Sequence, residues 1–117
     1  MALHSELPIY RVAYDLLGLV VKMVRNMPRD AKHALGASIV DECVRVVVLI
    51  FRANVARDKA PHLLELIERV EVANLLLRLS RDLQCIPTKH YAAAIELTTS
   101  IGKQANGWRK ASASPAA

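Results

Sequence analysis

The sequence predicts an all-α protein, an up-and-down four-helix bundle, and three observations carry that prediction. Apolar residues make up 53% of the 117-residue chain while aromatics make up only 4%, so the core has to be built from Leu, Val, Ile and Ala. These apolar residues recur at spacings of three and four along four long stretches, the period that gathers side chains on one face of a helix. Pro8, Pro28, Pro61 and Pro87 stand at the joints between the stretches, where proline begins or ends a helix. A chain of this length can bury one core without staples.

The first helix is expected over residues 8–26. Ile9, Val12, Leu16, Leu19, Val20, Met23 and Met27 form its inner stripe, and Arg11, Asp15, Gly18, Lys22 and Arg25 its outer face. Pro8 fits the first turn, where a missing N–H costs nothing. Pro28 closes the segment, because the residue before a proline is biased out of the α region.

The second helix is expected between Pro28 and about residue 57, with Asp30 as cap or first-turn acid. In residues 44–51 seven of eight side chains are apolar, and many are β-branched, which reads locally as a buried strand. No Gly or Pro lies between Gly36 and Pro61, however, and a lone strand among helices has nothing to pair with. Helix is the reading. A helix this apolar needs cover on more sides than its own bundle supplies. A second copy is expected to supply it at Val47, Val48, Ile50 and Phe51, and at Leu75 and Leu76 of the third helix.

That third helix is expected over 61–84, with Leu63, Leu66, Ile67, Val70, Ala73 and Leu77 inward and Glu65, Glu68, Glu71, Arg78 and Arg81 outward. The fourth starts after Pro87, with Thr88 as N-cap, and runs to about residue 109. Its inner face is Tyr91, Ala94, Ile95, Thr98, Ile101, Ala105 and Trp108. Short connections make consecutive helices antiparallel neighbours. Residues 1–110 are thus one domain, and the Ser/Ala/Pro-rich segment 111–117 is expected to be a disordered tail.

The net charge is +5 and unevenly spread: residues 28–57 carry +2 and 85–117 carry +3, while 58–84 carry −1. The two cysteines, Cys43 and Cys85, are too few for a disulfide framework, and residues 1–7 are short and polar. Both features predict a cytoplasmic protein with reduced thiols. The apolar run 46–51 is bracketed by Arg45 and Arg52, far short of the roughly 20 apolar residues that a membrane span requires.

No catalytic constellation is legible. A di-iron bundle needs Glu-x-x-His pairs, and none is present; Glu65, Glu68 and Glu71 fall on a solvated face. His33, His90 and Cys85 come to one end of such a bundle, but Cys-x4-His plus a distant His is not a diagnostic zinc spacing. No metal or cofactor is assigned. Cys43 reads as a small core residue. Gly18 and Gly36 are isolated glycines inside helices, where close helix packing is the expected reason for them. Neither a Gly-x-Ser-x-Gly elbow nor a glycine-rich phosphate loop occurs.

The basic surface remains. Arg45 and Arg52 lie two turns apart on the second helix. Arg11, Lys22 and Arg25 line the first, and Lys103 precedes Arg109 and Lys110 near the end of the fourth, where cations also offset the helix dipole. Without interleaved aromatics, such residues would contact phosphates and read little sequence. The alternative is a structural scaffold or protein-interaction bundle with no nucleic-acid partner.

Several short pieces run in a telling order: Tyr14-Asp15-Leu16-Leu17, Met27-Pro28-Arg29 followed by Leu35-Gly36, Leu75-Leu76-Leu77-Arg78-Leu79, Lys89 and Tyr91, then Gly102-Lys103 and Gly107-Trp108. Together they resemble the four-helix-bundle family of diversity-generating retroelement accessory variability proteins and rRNA intervening-sequence proteins. The Pro-Arg before the second helix and the Gly-x5-Trp close resemble the retroelement branch more nearly, although Asn106 stands where that branch usually has glycine. The resemblance implies a homopentameric barrel of bundles with a basic surface. It also implies a non-enzymatic role, binding nucleic acid and a reverse transcriptase in mutagenic retrohoming.

Overall fold

The computed structural model describes residues 3–113. Among them four long helices and no strand are found: α1 (Pro8–Arg25), α2 (Ala37–Val55), α3 (Ala60–Asp82) and α4 (Thr88–Ala113). The helices lie in an up-and-down order, α1 packing on α2 and α4, and α3 on the same two. The result is a rod of 53 × 21 × 20 Å. The 44–51 run is helical throughout.

Each boundary has a local cause. Pro8 is in the first turn of α1, and the Leu7 carbonyl accepts from the Tyr10 and Arg11 amides. At the far end the Asn26 side-chain amide donates to the Lys22 carbonyl at 3.2 Å. Pro28 then turns the chain with an extended ψ of 146°. From there the helix that leads into α2 does not wind uniformly. A turn at Arg29–Ala31 is followed by a π-helical turn, Lys32–Gly36, in which the Ala37 amide reaches back to the Lys32 carbonyl.

The wide turn sets Gly36 against α1. A Cβ there would lie 2.6 Å from Val24 Cγ1 and 3.3 Å from Met27 Sδ. A side chain there would force Val24 or the α1–α2 spacing to shift. Gly18, in contrast, faces open space. Close packing therefore accounts for Gly36 and not for Gly18, because the outer face of α1 meets no neighbouring helix.

The α2–α3 connection is held by one ammonium. Lys59 Nζ donates to the carbonyls of Ala53, Asn54 and Ala56 at 2.9, 3.1 and 3.0 Å, so it closes α2 where the helix dipole favours a cation. It also stands 5.9 Å from the centroid of Trp108 on α4. At the other end of α3 the chain leaves through a Schellman motif. Gln84 takes a φ of 60°, while the Cys85 and Gln84 amides bond the Ser80 and Arg81 carbonyls. For α4 the Pro87 carbonyl accepts the first helical bonds, from His90 and Tyr91. Thr88 is thus the first helical residue rather than the cap. The helix continues to Ala113, three residues into the segment expected as a tail, since Ala111 and Ala113 favour helix. The remainder of that segment lies outside the described residues.

The core follows the expected stripes with shifts of one residue. Ile9, Leu16, Val20, Met23 and Met27 are buried, but Ala13 is buried where Val12 and Leu19 are only half-buried. Leu63, Leu66, Val70, Ala73 and Leu77 fill the α3 side, joined by Ser80, whose hydroxyl donates to the Leu76 carbonyl. On α4 the fully buried positions are Ala94, Thr98, Ile101 and Ala105. Ile50 is a correction: it is 0% exposed, so it belongs to the subunit's own core and cannot reach a second copy.

Candidate nucleic-acid interface

The six basic residues singled out in the sequence are all exposed, and they fall on three helices rather than in one patch. Arg11, Lys22 and Arg25 share the outer stripe of α1, because separations of eleven and fourteen residues bring a helix back to nearly the same face. Gly18, with nothing within 4 Å of its Cβ position, lies between them. Among the described residues none of the three is in an ion pair. Since no Cβ of its own packs there, Gly18→Ala should stabilise the fold by about 1 kcal/mol, read as a higher denaturation midpoint; an unchanged or lower midpoint would place a neighbour against that position.

Arg45 and Arg52 sit differently. They line an open groove of about 220 Å³ between α2 and α3, together with Val44, Val48 and Glu65. Arg45 is paired one turn back to Asp41 at 3.1 Å, both side chains being more than half exposed, so this pair is worth little. Of the six, Lys103 is the one on α4, two residues from buried Ile101 and therefore directed away from the core.

The sequence reading missed other cations. Arg29, Lys32 and Lys89 lie with Lys22 and Arg25 at the end of the bundle carrying the α1–α2 and α3–α4 connections. No periodicity flags them, because they belong to joints. Also missed is Arg69, whose Nη1 donates to both carboxylate oxygens of Glu42 at 3.1 and 3.3 Å, both side chains being largely buried. This pair ties α3 to α2, 27 residues apart in sequence. Removing one partner alone would leave the other charge largely buried without it.

A second groove, of about 520 Å³, lies between α3 and α4, where Arg81 stacks 4.4 Å over the Tyr91 ring and Thr88, Ile95, Glu96 and Thr99 are among the wall residues. It holds no nucleophile paired with a base. Among the described residues no three His, Cys, Asp or Glu side chains are placed to hold a metal ion. His33, His90 and Cys85 share an end of the bundle without forming a site. No helix among the described residues is long and apolar enough to cross a membrane.

Cys43 is fully buried on α2. Burial, and secondarily the Glu42 carboxylate, push its thiol up from 9.0 to about 12. A thiolate is the reactive form, so neutral-pH alkylation of the native protein should label Cys85, which is half-buried, and spare Cys43 until unfolding. Labelling of Cys43 at the same rate would contradict its burial. The linkage has a definite sign: the protonated thiol is favoured by folding, so this contribution is complete below pH 9.0 and is lost as pH rises toward about 12.

No curated protein matches the chain. The bAvd-like family matches residues 9–112, nearly the full length of the chain. The chain belongs to the bAvd-like family, the bacterial accessory variability determinants of diversity-generating retroelements.

Proposed function

We propose that the protein is a non-enzymatic, oligomeric adaptor of a diversity-generating retroelement, acting in the cytoplasm. It would bind nucleic acid through its basic surface and work beside a reverse transcriptase, with five copies forming the assembly. Family membership supports the retroelement setting. The observation that carries the nucleic-acid reading is the α1 stripe. Arg11, Lys22 and Arg25 are three exposed cations on one face, without ion-pair partners among the described residues. Such a row suits the regularly spaced charges of a phosphate backbone, and contacts of this type release counterions.

Binding to single-stranded RNA and to duplex DNA should therefore fall steeply with salt. Replacing Arg11, Lys22 and Arg25 by Gln should lower affinity at least ~10-fold at low salt and flatten the log–log salt slope by about one unit per lost contact. An unchanged slope in the triple variant would remove the stripe. Absence of any binding by the wild-type protein at low salt would favour the scaffold reading. The five-copy assembly is checked by solution mass; a mass of 12.9 kDa at micromolar concentration would exclude it.

A further inference from the structure

The groove of about 520 Å³ between α3 and α4 contains none of the residues expected at subunit contacts and none of the α1 stripe. Its form follows from the helix period, each residue turning the helix by about 100°. Going round α4 from the buried Ala94 and Thr98, Tyr91 and Ile95 come first, then Thr88, Thr99 and Ala92, and last Glu96 on the outer rim. Arg81 closes the opposite side from α3. From Thr88 to Thr99 the floor runs about 16 Å. Ala92 and the two threonines keep it low, so that a second helix can lie on it at ordinary packing distance.

The two sides of the groove carry opposite charge. Arg81 lies over Tyr91 and donates Nε and Nη2 to Asp82 Oδ1, bonds that do not use its Nη1. Glu96 is exposed and belongs to none of the ion pairs among the described residues. A phosphate backbone laid here would meet the Glu96 carboxylate and a guanidinium already paired with Asp82. Among the described residues no strand edge borders the groove, so an extended peptide would find no backbone row to pair with. A helix meets each requirement: apolar side chains on the floor, an acidic flank toward Arg81 and a basic flank toward Glu96.

We infer that this groove docks an amphipathic helix of a partner protein, one with an aliphatic strip, carboxylates along one flank and basic groups along the other. The site is separate from the phosphate-binding stripe and from the five-copy assembly, and does not depend on either.

The test uses three fluorescently labelled helical peptides of about 18 residues that share a leucine strip and differ in their flanks: Glu on one and Lys on the other, Glu on both, or Lys on both. By fluorescence anisotropy the full chain should bind the mixed peptide at least ~10-fold more tightly than either of the others, although its net charge of +5 favours the all-Glu peptide. Glu96→Arg should turn the preference to the all-Glu peptide, and Arg81→Glu to the all-Lys peptide. Ala92→Gln fills the floor without adding charge and should weaken all three at least ~5-fold; Thr99→Gln makes the same test if that variant loses its helical circular dichroism. No binding, no preference for the mixed peptide, or preferences that ignore the substitutions would overturn the inference. A lower solution mass of Ala92→Gln would overturn it in favour of a second copy of this chain, and weaker oligonucleotide binding by Ala92→Gln in favour of nucleic acid. A wild type that binds the mixed peptide but no oligonucleotide would overturn the nucleic-acid reading and support this one.

Discussion

Ile50→Ala is expected to cost about 2–5 kcal/mol of folding stability, whereas Val48→Ala, two residues earlier in the same apolar run, should change it by less than about 0.5 kcal/mol. Ile50 is fully enclosed between α2 and the rest of the core, and its truncation leaves a cavity that neighbouring side chains fill only partly. Val48 is 39% exposed and loses little when shortened, since alanine is also the better helix former. Urea titrations of the two variants under conditions that keep the protein monomeric separate the cases. Equal losses at both positions would mean that the run does not face the core as described. Assembly should respond in the reverse order, Val48 mattering more than Ile50.

The second large effect is at Gly36. Adding one methyl group, Gly36→Ala, puts a carbon 2.6 Å from Val24 Cγ1, well inside van der Waals contact. Val24 must change rotamer or α1 must move away, and overpacking of this kind costs about 1–3 kcal/mol, outweighing the roughly 1 kcal/mol that alanine gains over glycine in a helix. The Val24→Ala change removes the clashing methyls. The double variant should therefore recover part of the loss, a coupling that thermal or urea denaturation of the four-member cycle measures. If Gly36→Ala is as stable as wild type, the π turn does not press against α1.

Those two positions also show what a sequence of this kind discloses. Gly18 and Gly36 both follow leucine inside a helical pattern, and nothing local distinguishes them; only the path of the neighbouring helix makes one indispensable and the other free. The prolines did mark the joints, to within a residue or two, because their effect on the backbone is local. Periodicity located the four stripes but assigned Val12 rather than Ala13 to the core. Bulk alone does not say which residue sits at a close helix contact, where a small side chain lets backbones approach. The overfull 44–51 run signalled excess apolar surface correctly, yet it could not say that Ile50 goes inward while Val48 and Phe51 stay out. That depends on which side of α2 packs against α1 and α3. The Glu42–Arg69 pair was invisible for another reason: its partners are far apart in the chain. Among the basic residues, those at helical spacing were found, and Arg29, Lys32 and Lys89 were not, because they sit at the joints.

The ring of neighbours α1–α2–α3–α4 closes where α4 lies back on α1, joining the first long helix to the last. The other extensive contacts among the four long helices link consecutive ones, a topology whose local contacts favour rapid folding. The closing contact is the exception. During synthesis, the start of α1 around Pro8 and Ile9 has to wait for Gln104 and Trp108 to emerge. Until then the contact with the largest sequence separation stays unbridged, and the surface of α1 that α4 will cover is exposed.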